Sequence, residues 1–316
     1  MRLFSVIKPG LFTTVQDLGR YGYLRFGVPI SGAMDQFSLV AANVLVGNKP
    51  DYACLETTIM GPELQALGET QVAVTGANCS PRINGEDVPM WRTLQLQKDD
   101  VVSFGMMPTG CRAYLSIRGG VNTPLVLGSR STYVRGGFGG LEGRSLRGDD
   151  VIEGFDVLPL DTGYSMPKQL VPQFSDHVKV RAVLGPQAEM FTGRGVDVFF
   201  SGLFRVSADA DRMGYRLEGL RVELEGKADI VSDALLPGAV QIPKDGKPII
   251  IMRDAQTTGG YPKIAVAIAA DLSVLGQLKP RCSVTFFKVT LREAQERARE
   301  FFKLLKDLSS MLLRDR

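Results

Sequence analysis

Lys247-Pro248-Ile249-Ile250-Ile251-Met252-Arg253-Asp254-Ala255-Gln256-Thr257-Thr258-Gly259-Gly260-Tyr261-Pro262 opens as an apolar, β-branched run and closes in polar side chains, glycines and a proline. The run predicts a buried strand. Arg253, Asp254, Gln256 and Thr257 then crowd hydrogen-bonding groups at its mouth. Gly259-Gly260 permits positive φ or close approach of a ligand to the backbone. Tyr261-Pro262 stiffens the exit, since proline holds its predecessor extended. A plain hairpin needs only an Asn-Gly or Asp-Gly pair, so the stretch reads as a ligand or subunit-contact site, with a structural loop as the alternative.

Strand-like runs recur in both directions from it. Residues 3–8, Gln71–Thr75, Arg112–Ile117, Val151–Phe155 and Lys179–Leu184 are short and parted by turn signals such as Asn84-Gly85 and Arg147-Gly148-Asp149. This spacing predicts a mainly β protein built from closed antiparallel barrels or sandwiches. The phrases Leu96–Phe104, Leu146–Ile152 and, more loosely, Leu278–Phe286 share a form, a polar turn feeding an outgoing strand. They read as a recurring turn and not as metal-binding carboxylates. Ile264–Ala270 is apolar throughout, so periodicity leaves strand and buried helix open.

Length and composition bound the rest. A chain of 316 residues favours two domains. The proline-containing, aperiodic 158–177 segment is the boundary, giving domains 1–165 and 166–316. Gly 35 and Pro 17 favour short strands over long helices. Two helices are nonetheless expected. One follows Asp35 as N-cap, with Phe37, Val40, Ala41, Val44 and Leu45 on one face and Gly47-Asn48 as its stop; it reads as half-buried. The other, at 290–312, opens on a Thr290/Glu293 capping box and carries Ala294, Ala298, Phe301, Leu305 and Leu308 on one face.

Net charge +3 argues against nucleic acid, and no run reaches membrane-spanning length. The first residues lack a signal-peptide core, and the cysteines stand without CxxC spacing. The chain therefore reads as cytoplasmic and without a metal site. Its one histidine, His177, lies in the expected linker, which excludes a Ser-His-Asp triad and HExxH chemistry. GxSxG, Walker A and Met-Lys-Met biotin-attachment motifs are missing. Gly128–Gly140 fails the dinucleotide pattern, and reads either as an anion cradle beside Arg130 and Arg135 or as a mobile loop. The remaining set, arginine, carboxylate, amide and tyrosine, binds small acids, polarises carbonyls and moves protons.

The segments Gly10–Arg20, Gly27–Asp35, Gly128–Tyr133, Asp211–Leu217 and Gln256–Pro262 together resemble the family of 5-oxoprolinase C subunits. That family is also known as allophanate hydrolase subunit 2, or the biotin-dependent carboxyltransferase domain family. The likeness runs from the first strand to Phe286. It implies a pair of cyclophilin-like β-barrel domains and a protein working with two partners, the 5-oxoprolinase B and A subunits. Together these open 5-oxoproline, a cyclic amide, to glutamate at the expense of ATP. Relatives fused to biotin carboxylase modules carboxylate urea, so biotin enters only under that alternative. Others antagonise a histidine-kinase inhibitor homologous to the B subunit.

Residue types then suggest roles. Asp17, Arg20, Asp254, Gln256 and Tyr261 are the catalytic candidates, with Asp17, Asp254 or Tyr261 handling the proton. Arg130, Arg212, Tyr215, Arg253, Thr257, Gly259 and Gly260 are the substrate-binding candidates. Among these groups Arg20, Arg212 or Arg253 holds a carboxylate or phosphate, and Gln256 and Thr257 orient the amide.

Overall fold

The computed structural model describes residues 1–313. By its internal contacts the chain forms two units. The first takes Met1–Tyr21, Ser31–Phe174 and the chain from Leu304; the second takes Gly22–Ile30 and Ser175–Lys303.

The first unit is all antiparallel. One sheet orders its strands Val151–Glu153, Arg2–Lys8, Glu63–Ala66, Val101–Ser103, Arg82–Ile83 and Glu86–Asp87. The other orders Thr13–Gln16, Cys54–Thr58, Arg112–Ile117, Thr70–Gly76 and Thr93–Leu96. Both face one core, in which Leu3, Phe4 and Val6 of the first sheet join Val72, Val74, Leu115 and Ile117 of the second. Each such side chain contributes roughly 1.5–3 kcal/mol by leaving water. The strands are mostly short, and isolated bridges such as Val121–Gly154 and Met60–Met106 occur where ladders end. The expected barrel is therefore realised here as two hydrogen-bonded sheets around a common interior.

The second unit is a closed seven-stranded barrel, ordered His177–Leu184, Lys263–Ala267, Ala239–Gln241, Ile249–Ile251, Gly214–Glu218, Leu203–Ala210 and Ser283–Lys288. Its closing pair, His177–Leu184 with Ser283–Lys288, is parallel. An odd number of strands in a ring cannot alternate throughout, so one parallel pair is unavoidable in a barrel of seven. The ambiguous 264–270 run divides: it is strand through Ala267, and Ala269–Asp271 forms a 3-10 turn. His177, expected in the linker, instead begins a barrel strand, its Nε2 3.3 Å from Thr285 Oγ1.

The recurring turn appears in three places with one geometry. Asp99, Asp149 and Arg281 have φ of 72°, 68° and 75°. Their N–H groups donate to Ala66, Val6 and Val206 carbonyls, each at 2.8 Å. Those three residues donate back to Asp100, Asp150 and Cys282. In the first two copies the second aspartate also closes the turn, accepting from Gln97 and Arg147 N–H at 2.7 Å. Aspartate suits such a position because its short polar side chain tolerates left-handed backbone.

Asp35 caps the Gln36–Leu45 helix, accepting from Ser38 N–H at 3.1 Å. Every residue of that helix is buried, not half-buried as its composition suggested. Its polar members are satisfied inside: Asn43 Oδ1 accepts from Ser116 Oγ at 2.7 Å, and the Ser38 carbonyl accepts from Thr75 Oγ1 at 2.6 Å. Residues beyond the first sheets' strands also join this unit, since Leu160, Tyr164 and Met166 are buried and Leu160 exchanges hydrogen bonds with Gln71.

A helix that composition did not reveal, Gly193–Ser201, delivers Phe199 against Phe286 with ring centroids 4.6 Å apart. Thr192 caps it, accepting from Gly195 N–H at 2.9 Å. The Leu291–Leu313 helix starts with the expected capping box: Glu293 accepts from Thr290 N–H and Oγ1, and Thr290 accepts from Glu293 N–H. Ala294, Ala298, Phe301 and Leu305 are half-buried on it and Leu308 is buried. No helix among the described residues is long and apolar enough to cross a membrane.

Candidate functional site

In the first unit the Thr13–Gln16 strand carries Asp17 to its end, where the Ser129–Thr132 segment meets it. Thr132 N–H donates to the Val15 carbonyl at 2.9 Å, which sets the register between them. The Asp17 carboxylate then accepts from Gly19 N–H (2.8 Å), Ser129 Oγ (2.7 Å), Ser131 Oγ (2.5 Å) and Arg130 N–H (2.6 Å). Four donors meet it, and through them it joins the two loops.

Arg20 is 1% exposed. Its Nη2 donates to the Ser131 carbonyl, and its guanidinium lies 5.0 Å from the Phe138 ring centre. Gly139 is needed for this approach, as a Cβ there would fall 2.1 Å from Ser131 O and 2.9 Å from Arg20 Nη2. Arg130 reaches Asp17 through its backbone alone, while its guanidinium sits 5.2 Å from the Phe155 ring centre. The glycine-rich loop is tied down by internal hydrogen bonds. Gly137, Gly140 and Gly143 N–H groups donate to Val134, Arg130 and Gly139 carbonyls, which folds the loop partly onto itself.

In the second unit Arg253 and Asp254 follow the Ile249–Ile251 strand, and Arg212 precedes the Gly214–Glu218 strand paired to it. Backbone bonds continue that pairing: Met252 N–H to Met213 O (2.9 Å) and Asp254 N–H to Arg212 O (2.8 Å). The juxtaposition lets Arg212 grip Asp254 with two nitrogens, Nε at 2.8 Å and Nη2 at 3.2 Å, with both residues 6% exposed. Arg253 is equally buried, yet its side chain makes no hydrogen bond or ion pair among the described residues. Tyr215 is 1% exposed, opposite Ile250 in the barrel wall. Gln256 is exposed, Thr257, Gly259 and Gly260 are half-buried, and Tyr261 shows 40% of its surface.

Composition also hid a buried polar cluster in the first unit. Glu56 Oε2 accepts from Tyr114 OH (2.7 Å) and Met34 N–H (2.8 Å), and Arg112 Nε lies 3.7 Å from Glu56 Oε1. Tyr114 OH in turn accepts from Asp35 N–H at 2.8 Å. Burial, with Glu56 and Asp35 adding to it, holds the Tyr114 phenol well above its ordinary range, so it serves as a neutral donor. The only outward sign was a glutamate inside the short Cys54–Thr58 strand, which is buried at its first four residues. Cysteine nucleophiles are disfavoured: burial pushes Cys54 and Cys79 up to about 12. No group of His, Cys, Asp and Glu among the described residues is placed to hold a metal ion.

The sequence matches the family described as carboxyltransferase domain, subdomain A and B, over residues 26–288. It is 36% identical to the 5-oxoprolinase C subunit of Escherichia coli over 308 residues, 96% of this chain and 97% of that protein. The Haemophilus influenzae protein of the same name is 34% identical, over 91% of each chain. Among solved structures, Kluyveromyces lactis urea amidolyase superposes with a TM-score of 0.92 at 32% identity over 98% of this chain. This chain spans only 20% of that much longer protein.

Proposed function

The chain belongs to the family of carboxyltransferase domains with subdomains A and B, and from that membership we propose that it is the C subunit of an ATP-dependent 5-oxoprolinase that opens 5-oxoproline to L-glutamate together with subunits A and B. Coverage carries the choice. The relatives named as 5-oxoprolinase C subunits are matched over 97% and 91% of their own length, whereas urea amidolyase is matched over 20%. The first match takes in nearly all of each relative, and the second takes in about one fifth of urea amidolyase.

Arg253 takes the substrate carboxylate in this reading, because it is the buried arginine of the three candidates with no partner of its own among the described residues. A guanidinium pairs with a carboxylate through two parallel hydrogen bonds. Arg212 is engaged by Asp254, and Arg20 by Ser131 and Phe138. Asp17 and Asp254 hold loops in place, Gln256 and Thr257 orient the lactam, and the partly exposed Tyr261 phenol is left for proton transfer. ATP is assigned to the partner subunits, since this chain carries no Walker A motif.

The test is glutamate formation from 5-oxoproline and ATP by this chain alone, with the B subunit, and with A and B together. Turnover only in the full mixture is the expected result. A complex that assembles and makes no glutamate overturns the reading. The likeness to urea amidolyase supports a second one, carboxyl transfer from carboxybiotin to urea, which the same preparation tests by urea-dependent loss of carboxybiotin.

A further inference from the structure

Lys263 is the buried lysine among the described residues, 4% exposed at the start of the Lys263–Ala267 strand. An ammonium withdrawn from water is costly unless it is paired and hydrogen-bonded. Its pair comes from a surface strap. Lys263 Nζ donates to Asp233 Oδ2 and, at 3.0 Å, to the Ala234 carbonyl. Gln187 Nε2 donates to the same Asp233 oxygen at 3.2 Å, while Gln187 Oε1 accepts from Lys263 N–H at 3.2 Å and so fixes which way the amide points. One ammonium and one oriented amide thus converge on a carboxylate that is itself 48% exposed.

The strap is held firmly at its ends and lightly between them. Ala228 and Leu235 are buried, Leu235 in a small cluster with Ala239, Ile251 and Ala255, whereas Val231 at the tip is 92% exposed. Between the anchors its backbone meets Thr258–Gly260 through Ile230 N–H to Gly260 O (2.9 Å) and the two-residue pairing of Asp233–Ala234 with Thr258–Gly259. Gly226, upstream, has φ +90° and open space around it. Segments with few buried contacts and solvent-exposed backbone bonds open at low free energy.

We propose that Lys263 and Gln187 form a carboxylate-binding site at the barrel edge, that Asp233 of the strap fills it in this structure, and that a small carboxylate ligand takes the same donors when the strap lifts. The strap is then a built-in occupant lying across the Thr258–Gly260 segment, and ligand binding and uncovering of that segment are one event. This goes beyond the proposed function, and its test needs no turnover.

The test is low-conversion acylation of the whole chain with sulfo-N-hydroxysuccinimide acetate, with Lys263 quantified by mass spectrometry against the other lysines. In the parent protein Lys263 labels slowly. Asp233→Ala is expected to raise its labelling about tenfold or more while the other lysines stay unchanged. Acetate is expected to restore protection in Asp233→Ala, and 2-pyrrolidinone, a small neutral amide without a carboxylate, is not. Asp233→Asn, which keeps the side chain's shape, is expected to fall between the two proteins. Unchanged labelling in Asp233→Ala, or equal protection by 2-pyrrolidinone, overturns the proposal.

Discussion

Replacing Asp17 by Asn separates a residue that holds loops from one that carries protons. The carboxylate receives Gly19 N–H, Ser129 Oγ and Ser131 Oγ on one oxygen and Arg130 N–H on the other. An amide of the same shape has a single acceptor atom. Whichever way it is turned, its own N–H faces either Arg130 N–H or Gly19 N–H. The serine hydroxyls can rotate to accept, but a backbone N–H cannot. One buried backbone donor is left without an acceptor, at about 1–3 kcal/mol, and the surviving bonds lose their charge assistance. The sum is about 3 kcal/mol, or about 6–12 °C in the melting of a unit of this size. Trp91, the single tryptophan, is buried in the same unit, so urea unfolding followed by its fluorescence reads this loss directly. Activity in the assembled complex should fall only as the folded fraction falls. A loss under about 1 kcal/mol refutes the count of donors. Undiminished stability with abolished turnover would make Asp17 a proton carrier after all.

Arg253→Lys keeps the charge but not the two-pronged geometry. Because Arg253 has no internal partner among the described residues, stability should move by less than about 1 kcal/mol while KM for 5-oxoproline rises about tenfold or more; an unchanged KM counts against the assignment. Asp150→Asn tests an electrostatic feature of the recurring turn. Arg144 hydrogen bonding, aided by Arg147 N–H, holds the Asp150 carboxyl below its usual range. A depressed folded-state value stabilises above the unfolded value and is lost as pH falls through the folded one. The parent protein should therefore exceed the variant by about 1–2 kcal/mol at neutral pH, with the gap closing from about pH 4 downward. A gap constant with pH in chemical denaturation would show that the ion pair is not its source.

Much of the fold could be read in advance because strands and turns advertise themselves locally. Alternation marked residues 3–8, Ile249–Ile251 ended just before the polar residues begin, and the Thr290/Glu293 pair announced its helix. What escaped depends on partners distant in the chain. Gly193 and Gly195 disguised the Gly193–Ser201 helix, yet a Cβ on Gly195 would fall 2.3 Å from the Glu223 carbonyl oxygen, so packing and not propensity selects the glycine. A single apolar face made the Gln36–Leu45 helix look half-buried, although the adjoining sheet also supplies hydrogen bonds to Asn43 and Ser38. Glu56 looked like an ordinary strand residue because nothing near it in sequence predicts Tyr114 or Arg112 beside it.

The candidate site shows the same division at the level of single atoms. Residue type named Asp17 and Asp254 as proton handlers and three arginines as anion binders. Geometry sorts them by which lone pairs and N–H groups are already in use. In each unit an aspartate at the end of one strand takes donors from a second loop: Asp17 from Ser129–Ser131, and Asp254 from Arg212. Each contact is accompanied by backbone bonds between the same loops, Thr132 to Val15 in one unit and Asp254 to Arg212 in the other. A carboxylate so engaged ties its own strand to a second loop, which couples it to the architecture. Groups free of such duties, Arg253 and the partly exposed Tyr261, are the ones able to meet a ligand without first breaking the fold.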